Sequence, residues 1–319
     1  MRPARTIPLA VLAVVAITLA AVVAFRLFLE RAPEPLPAIV EARADTGGAA
    51  PAHGEVAKEE ARVVAIEGQV ERAIRGGPWQ PVTAGQTLSA DESLRTGAEA
   101  RAELVIGAES AKMTVADSSQ LSVRELTRAV HRLRLTRGRL AVSYERSGER
   151  VLRIEDESGS AVAETRGATF SVLSNGQALA VATQTGTVNL KAAEVEVAVG
   201  AGQRSTALAG HAPSAAEPIP AQVLLKLAAF GRQGQCAEIA GVASHGAEVT
   251  VDGERVPLSS DGRFRRAVAN RPGLDAVRVV TREVDGRTRE EQVKCRLARS
   301  VPPAEVDELK IHFKGADGG

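Results

Sequence analysis

From Arg62 onward the sequence breaks into short β-type runs separated by turn residues, a pattern that points to an all-β architecture. Arg62-Val63-Val64-Ala65-Ile66 ends at Glu67-Gly68, and Ala102-Glu103-Leu104-Val105-Ile106 ends at Gly107. Met113-Thr114-Val115, Leu133-Arg134-Leu135, Leu140 to Tyr144 and Val151-Leu152-Arg153-Ile154 continue the series. Phe170-Ser171-Val172-Leu173 stops at Asn175-Gly176, a strong hairpin signal, and Val188-Asn189-Leu190 and Val195-Glu196-Val197 close it. Strands of this length with turns every 8–12 residues or so predict a β domain over residues 61–208.

A second series follows a break at 209–220, where Gly210, Pro213, Pro218 and Pro220 cluster. Val249-Thr250-Val251 meets Asp252-Gly253, Asp261-Gly262 precedes Phe264, and Val277 to Thr281 leads to Asp285-Gly286. Short strands over residues 221–298 predict a small β-sandwich of immunoglobulin type. Cys236 lies near its start and Cys295 in its last run. In an oxidising compartment the two would form one disulfide; the competing reading is two buried thiols. The tail 299–319 carries no clear pattern.

The N-terminus supplies the address. Ile7 to Phe25 is an uncharged apolar run, and nineteen residues at about 1.5 Å each match a hydrocarbon layer of about 30 Å. Arg2 and Arg5 precede it, which places the N-terminus in the cytoplasm. Residues 1–31 then form a signal-anchor transmembrane helix in the inner membrane, with residues 32–319 in the periplasm. Cleavage after Val22-Val23-Ala24, giving a secreted protein, is the alternative. Residues 32–60, with Pro33, Pro35, Pro37 and Pro51, read as a Pro/Ala-rich linker.

Charge and composition exclude several functions. The net charge is +1, of which the anchor holds about +3, leaving about −2 for the rest. A nucleic-acid binder normally carries a strong basic excess, and 3% aromatic residues give little surface for stacking bases. Two cysteines cannot build a zinc ribbon. The histidines at 53, 131, 211, 245 and 312 have no partner at metal-ligand spacing, and no P-loop, dinucleotide or nucleophile-elbow motif is present. No catalytic residue, cofactor site or metal site is expected, and the chain is read as non-enzymatic. One asymmetry stands out: Arg124, Arg128, Arg132, Arg134, Arg137 and Arg139 crowd a stretch with a single acid, Glu125, and the last five of them are the ones of interest. They form a candidate patch for an anionic partner, set against the plainer reading of a solvated strand face.

In the first β domain Val64 to Val70 places Gly68 between two strands, and Trp79 precedes Gly85-Gln86-Thr87-Leu88. Leu94-Arg95-Thr96-Gly97 is followed by Ala100-Arg101-Ala102, and Gly138-Arg139-Leu140 comes later. Thr165-Arg166-Gly167-Ala168-Thr169-Phe170-Ser171-Val172, Gly186-Thr187-Val188 and Gly200-Ala201-Gly202-Gln203 complete the series. In this order the motifs resemble the FecR family of periplasmic domains: its opening, its Thr-Gly turn and a later strand start. Thr165 to Val172 is the most specific stretch, with alanine where the family commonly has threonine. The resemblance implies a β-solenoid-like stack in which Gly68, Thr96, Gly97, Arg166, Gly167, Phe170, Gly186 and Gly202 serve as scaffold. Arg166 is assigned the task of tying carbonyls or a carboxylate together between strands. The second module resembles bacterial immunoglobulin-like domains, on Gly246 to Gly253 and Asp261-Gly262-Arg263-Phe264.

The family's signalling members carry a cytoplasmic domain that controls a sigma factor, and about six residues before the membrane run leave no room for one. The leading expectation is therefore a binding, scaffold or envelope-organising module. The alternatives are an accessory in FecR-type transmembrane signalling and a carbohydrate- or cell-wall-binding accessory. Expected partners are the membrane, through the N-terminal helix, and an envelope protein or cell-wall polymer, with no nucleic acid.

Overall fold

A computed structural model describes residues 59–107, 111–230, 238–268 and 276–294. The expected membrane helix, Cys236 and Cys295 all lie outside these residues. Every regular element described is a strand. No helix among the described residues is long and apolar enough to cross a membrane.

The first domain contains sixteen strands. They are β1 (Ala61–Glu67), β2 (Val70–Ile74), β3 (Gln80–Pro81), β4 (Thr87–Leu88), β5 (Glu92–Thr96), β6 (Arg101–Ile106), β7 (Ala111–Val115) and β8 (Gln120–Leu126). Then come β9 (Val130–Tyr144), β10 (Val151–Glu155), β11 (Ala161–Thr165), β12 (Ala168–Ser174), β13 (Ala178–Ala192), β14 (Val195–Gly200), β15 (Gln203–Leu208) and β16 (Glu217–Pro218). They form two sheets. The first runs β4-β1-β6-β7-β9-β12-β13-β15-β16. The second runs β3-β2-β5-β8-β9-β10-β11-β13-β14. Apart from the first pair in each sheet, spatial order follows chain order. Each sheet is therefore laid down in the order of the chain, although the strands that pair are often separated by others in sequence, as β1 and β6 or β5 and β8. The pairing is antiparallel, as hairpins require, with β9 and β10 the parallel exception.

Two long strands, β9 and β13, belong to both sheets, and each crosses between them at a glycine. β9 pairs with β8 as far as Arg137, and from Gly138 onward with β12. β13 pairs with β12 as far as Gly186 and with β14 from Thr187. Gly138 has φ +89°, and a Cβ there would stand 2.1 Å from the Ser119 hydroxyl. Gly186 has φ +78°, and its Cβ would meet the Gly167 carbonyl oxygen at 2.5 Å. Only glycine satisfies both conditions. The buried parity of β9 shifts at the bend, from His131, Leu133 and Leu135 to Leu140, Val142 and Tyr144. Thus one strand feeds one core from two sheets. Leu94, Leu104, Leu133, Leu140, Ile154, Phe170 and Leu190 all lie in that core.

The second module has a three-stranded and a four-stranded sheet. The first orders β17 (Leu225–Phe230), β18 (Glu238–Ala243) and β21 (Arg263–Ala267). The second orders β20 (Glu254–Val256), β19 (Glu248–Val251), β22 (Ala276–Arg282) and β23 (Thr288–Lys294). Ile239 and Phe264 from one sheet pack with Val249, Val277 and Val279 from the other. The expected Asp252-Gly253 hairpin is present: both residues have positive φ, and β19 returns as β20.

Candidate functional site at the junction of two β modules

β13 begins Ala178-Leu179-Ala180-Val181-Ala182, buried at every position. A strand without alternation is covered on both faces. Leu179 and Val181 face the domain's own core, whereas Ala180 and Ala182 join Leu173, Ile219 and Val284 in a separate cluster on the outer face. Val284 follows β22, so the second module covers the outer face of the first sheet.

Charged and polar groups frame that apolar contact. The Arg139 guanidinium donates to the carbonyls of Val284 at 3.0 Å and Asp285 at 3.2 Å, and to the Ser171 hydroxyl at 3.3 Å. Gly286 (φ +93°) leaves it room, since a Cβ there would stand 2.6 Å from the guanidinium carbon. Burial pulls Arg139 below its ordinary value, and the neighbouring Arg282 charge adds to the effect. Arg282 pairs with Asp117 at 2.8 Å. Arg255 donates to the Ser118 carbonyl and pairs with Glu248 at 3.0 Å. The Asn175 side-chain amide donates to the Ala247 carbonyl at 3.0 Å. Arg204 of β15 pairs with Glu283 at 3.2 Å. Burial pushes the Glu283 carboxyl above its ordinary value, with Asp285 also raising it and Arg204 opposing.

A second buried cluster lies where the chain enters the first domain. His131 is fully buried and donates from Nε2 to Glu59 at 2.7 Å; Arg150 holds the other Glu59 oxygen at 2.8 Å. The Tyr144 ring meets the imidazole edge-on, centroids 5.9 Å apart. Burial pulls His131 below its ordinary value despite the raising contact with Glu59, and burial pushes Tyr144 up to about 12. Glu59 is thereby clamped at the entry to β1, a positioning contact for the linker's end.

The outer face of the second sheet is different. Glu125–Arg132 at 3.1 Å, Arg134–Glu155 at 3.3 Å, Arg153–Glu164 at 2.7 Å, Lys191–Glu164 at 3.1 Å and Lys191–Glu196 at 3.5 Å run from β8 to β14. Burial pushes Glu164 up, but hydrogen bonds from Arg153 and Lys191 outweigh it and hold the carboxyl below its ordinary value.

The structure therefore divides the expected arginine patch. Arg132 and Arg134 belong to this ladder and Arg139 to the junction; Arg128 and Arg137 are exposed, the Arg128 carbonyl accepting from Arg150 at 3.0 Å. The bend at Gly138 sends one run of arginines to two different faces, which strand alternation alone did not anticipate. The role expected of Arg166 is also corrected. Its side chain is 59% exposed and stands 3.4 Å from a still more exposed Glu149. The arginine that ties carbonyls together is Arg139, because it lies on a covered face.

The other motif residues are built as scaffold. Gly68 has φ +72°, and a Cβ there would press on Ala100 at 2.9 Å. The Thr96 hydroxyl donates to the Ala116 carbonyl at 2.6 Å and accepts from the Ser119 amide at 2.9 Å. The Gly97 amide donates to the Gln69 carbonyl at 2.8 Å. The Gly167 amide donates to the Thr165 hydroxyl at 3.1 Å; Phe170 fills the core; the Gly202 amide reaches the Thr183 carbonyl at 2.8 Å. No group of three metal-ligating side chains occurs among the described residues.

These turns and corners follow one another with the spacing of a known domain type. Residues 92–189 match the family model for FecR protein. The FecR match begins with β5 and ends in β13, so it takes in both glycine corners, Thr96-Gly97, Arg139 and Leu173. It is narrower than the span 61–208 expected from motif resemblance, and the second module lies outside it. No curated protein matches the chain. Among solved structures, two crystal structures of a proposed anti-sigma factor from Parabacteroides distasonis ATCC 8503 are similar, each at 13% identity and TM-score 0.36. The alignment covers 44% of this chain and 68% of theirs.

Proposed function

We propose that the chain is a non-enzymatic accessory in FecR-type transmembrane signalling. The observation that carries this reading is the FecR match over residues 92–189, which falls on the strands that form the junction. In this reading the N-terminal apolar run anchors the chain in the inner membrane, and both β modules stand in the periplasm. The chain in this reading passes its signal through a membrane protein partner. The second module is an immunoglobulin-type sandwich, a reading supported by its three-plus-four strands and shared core. Its role is to cover the outer face of the FecR domain. A general scaffold that binds cell-wall polymer is the second reading, and the exposed charge ladder is what favours it.

Affinity capture of the full chain from detergent-solubilised envelope tests the assignment. The expected result is one stoichiometric membrane protein partner. Recovery of peptidoglycan or glycan alone, with no protein partner, would overturn it.

A further inference from the structure

The four ends of the two sheets in the first domain are not alike. β4 and β16 end one sheet, two residues each, and Pro218 stands in β16. β3 ends the other with two residues and Pro81. Short edges and prolines are the usual devices that prevent a sheet from growing onto another chain. The fourth end, β14, has none of them. It is six residues long, Val195-Glu196-Val197-Ala198-Val199-Gly200, without proline or lysine. Its register with β13 runs without a bulge.

The hydrogen-bonding groups on that edge follow from the turn before it. Ala193 and Glu194 both have positive φ, 46° and 62°, and form a two-residue hairpin loop. Such a loop is closed by a hydrogen-bonded pair, here Ala192 and Val195, after which bonded and non-bonded pairs alternate. The amides and carbonyls of Glu196 and Ala198 therefore face away from β13. The Gly200 amide has the same parity and indeed donates elsewhere, to the Gln203 side chain at 2.9 Å. Glu196 and Ala198 are exposed, and Val195 is 44% exposed.

The strand's own sequence specifies its occupant. Val195-Glu196-Val197-Ala198-Val199 reads almost the same in both directions about Val197. A twofold axis at Val197 would pair two copies antiparallel, with Val195 opposite Val199 and Glu196 opposite Ala198. The two outward-facing residues of each strand then bond each other, giving four main-chain hydrogen bonds. The glutamate lies opposite a methyl group rather than a second glutamate, so no like charges meet directly. Each Glu196 keeps its own Lys191, 3.5 Å away. The valines stay on the core side, extending both apolar faces. Self-complementarity of this kind is what an isologous interface requires. We propose that β14 is a homodimerisation edge, joining the nine-stranded sheets of two copies into one continuous sheet. This goes beyond the signalling assignment and does not depend on it.

Full-length protein in detergent, studied by size-exclusion chromatography with light scattering across a concentration series, tests the proposal. Ala198→Pro removes an outward amide that makes no bond to β13, so the fold is expected to persist. Ala198→Lys puts on this edge the charge that protected edges carry. The expected result is a wild-type dimer, with the dissociation constant raised at least roughly tenfold in both variants and a thermal melt that matches the wild type's when both are measured below the wild-type dissociation constant. Should the proline variant fail to fold, the lysine variant decides alone. A wild-type monomer up to about 100 µM, or a dimer that folded variants leave intact, would overturn the proposal.

Discussion

Arg132 and Arg139 lie on the same strand, β9, and have opposite surroundings. Arg132 faces solvent on the second sheet, where Glu125 and Glu155 neutralise it at 3.1 and 3.9 Å. Arg139 faces the second module on the first sheet and holds two carbonyls and a hydroxyl. Residue type is constant between them; what changes is the covering. A guanidinium in water gains little from a carboxylate, because the water it displaces was nearly as good a partner. A guanidinium beneath another module satisfies groups that have no water to turn to. The difference shows that a face bland in charge and dense in small apolar residues carries the junction, whereas the ladder faces water.

The corner that separates the two arginines is the first point at which to break the comparison. Gly138→Ala puts a Cβ 2.1 Å from the Ser119 hydroxyl at a φ of +89°. The expected cost is about 3 kcal/mol or more, from backbone strain and overpacking together. Urea denaturation reads it as an earlier and broadened transition. A variant as stable as the wild type would mean that the crossing does not need glycine. Arg139→Ala comes next, at about 2–3 kcal/mol, because it leaves the Val284 and Asp285 carbonyls without their donor. Limited proteolysis should show faster cutting in residues 209–224 as the second module loosens; an unchanged digestion pattern would count against a junction held by Arg139. Arg132→Ala has the smallest expected effect, within about 0.5 kcal/mol on the same denaturation curve. A larger loss would show that the ladder holds the sheet together rather than coating it.

Much of the fold was legible because strand ends are marked by residues with no freedom to be elsewhere. Asn175-Gly176, Asp252-Gly253 and Asp285-Gly286 announced their turns, and all three glycines have positive φ. Gly138 is visible too, but as a strand start, and Gly186 as a motif glycine; that they are corners inside long strands depends on Ser119 and Gly167, which approach only in the folded domain. The junction was less legible. Ala178 to Ala182 carried the signal, an unbroken apolar run that demands cover on both faces, but the run does not say which segment supplies the cover. The arginines misled for a related reason. Sequence spacing gives their number and parity, and the bend decides which face each one reaches. Thus spacing groups Arg139 with the exposed stripe and gives Arg166 the work that Arg139 does.

The agreement between chain order and spatial order along both sheets has a consequence for how the domain is made. A chain that emerges N-terminus first from a ribosome or a pore finds each strand's partner already outside. β6 can settle on β1, β7 on β6 and β9 on β7 without waiting for the C-terminus. Loop-closure entropy is then spent in small instalments, and assembly can keep pace with emergence. The second module arrives last and seals a face whose strands, β12 and β13, are complete only shortly before it appears. A stall between residue 192 and Val284 would thus leave Leu173, Ala180 and Ala182 without their full cover, the interval in which the nascent chain is most exposed to misassociation.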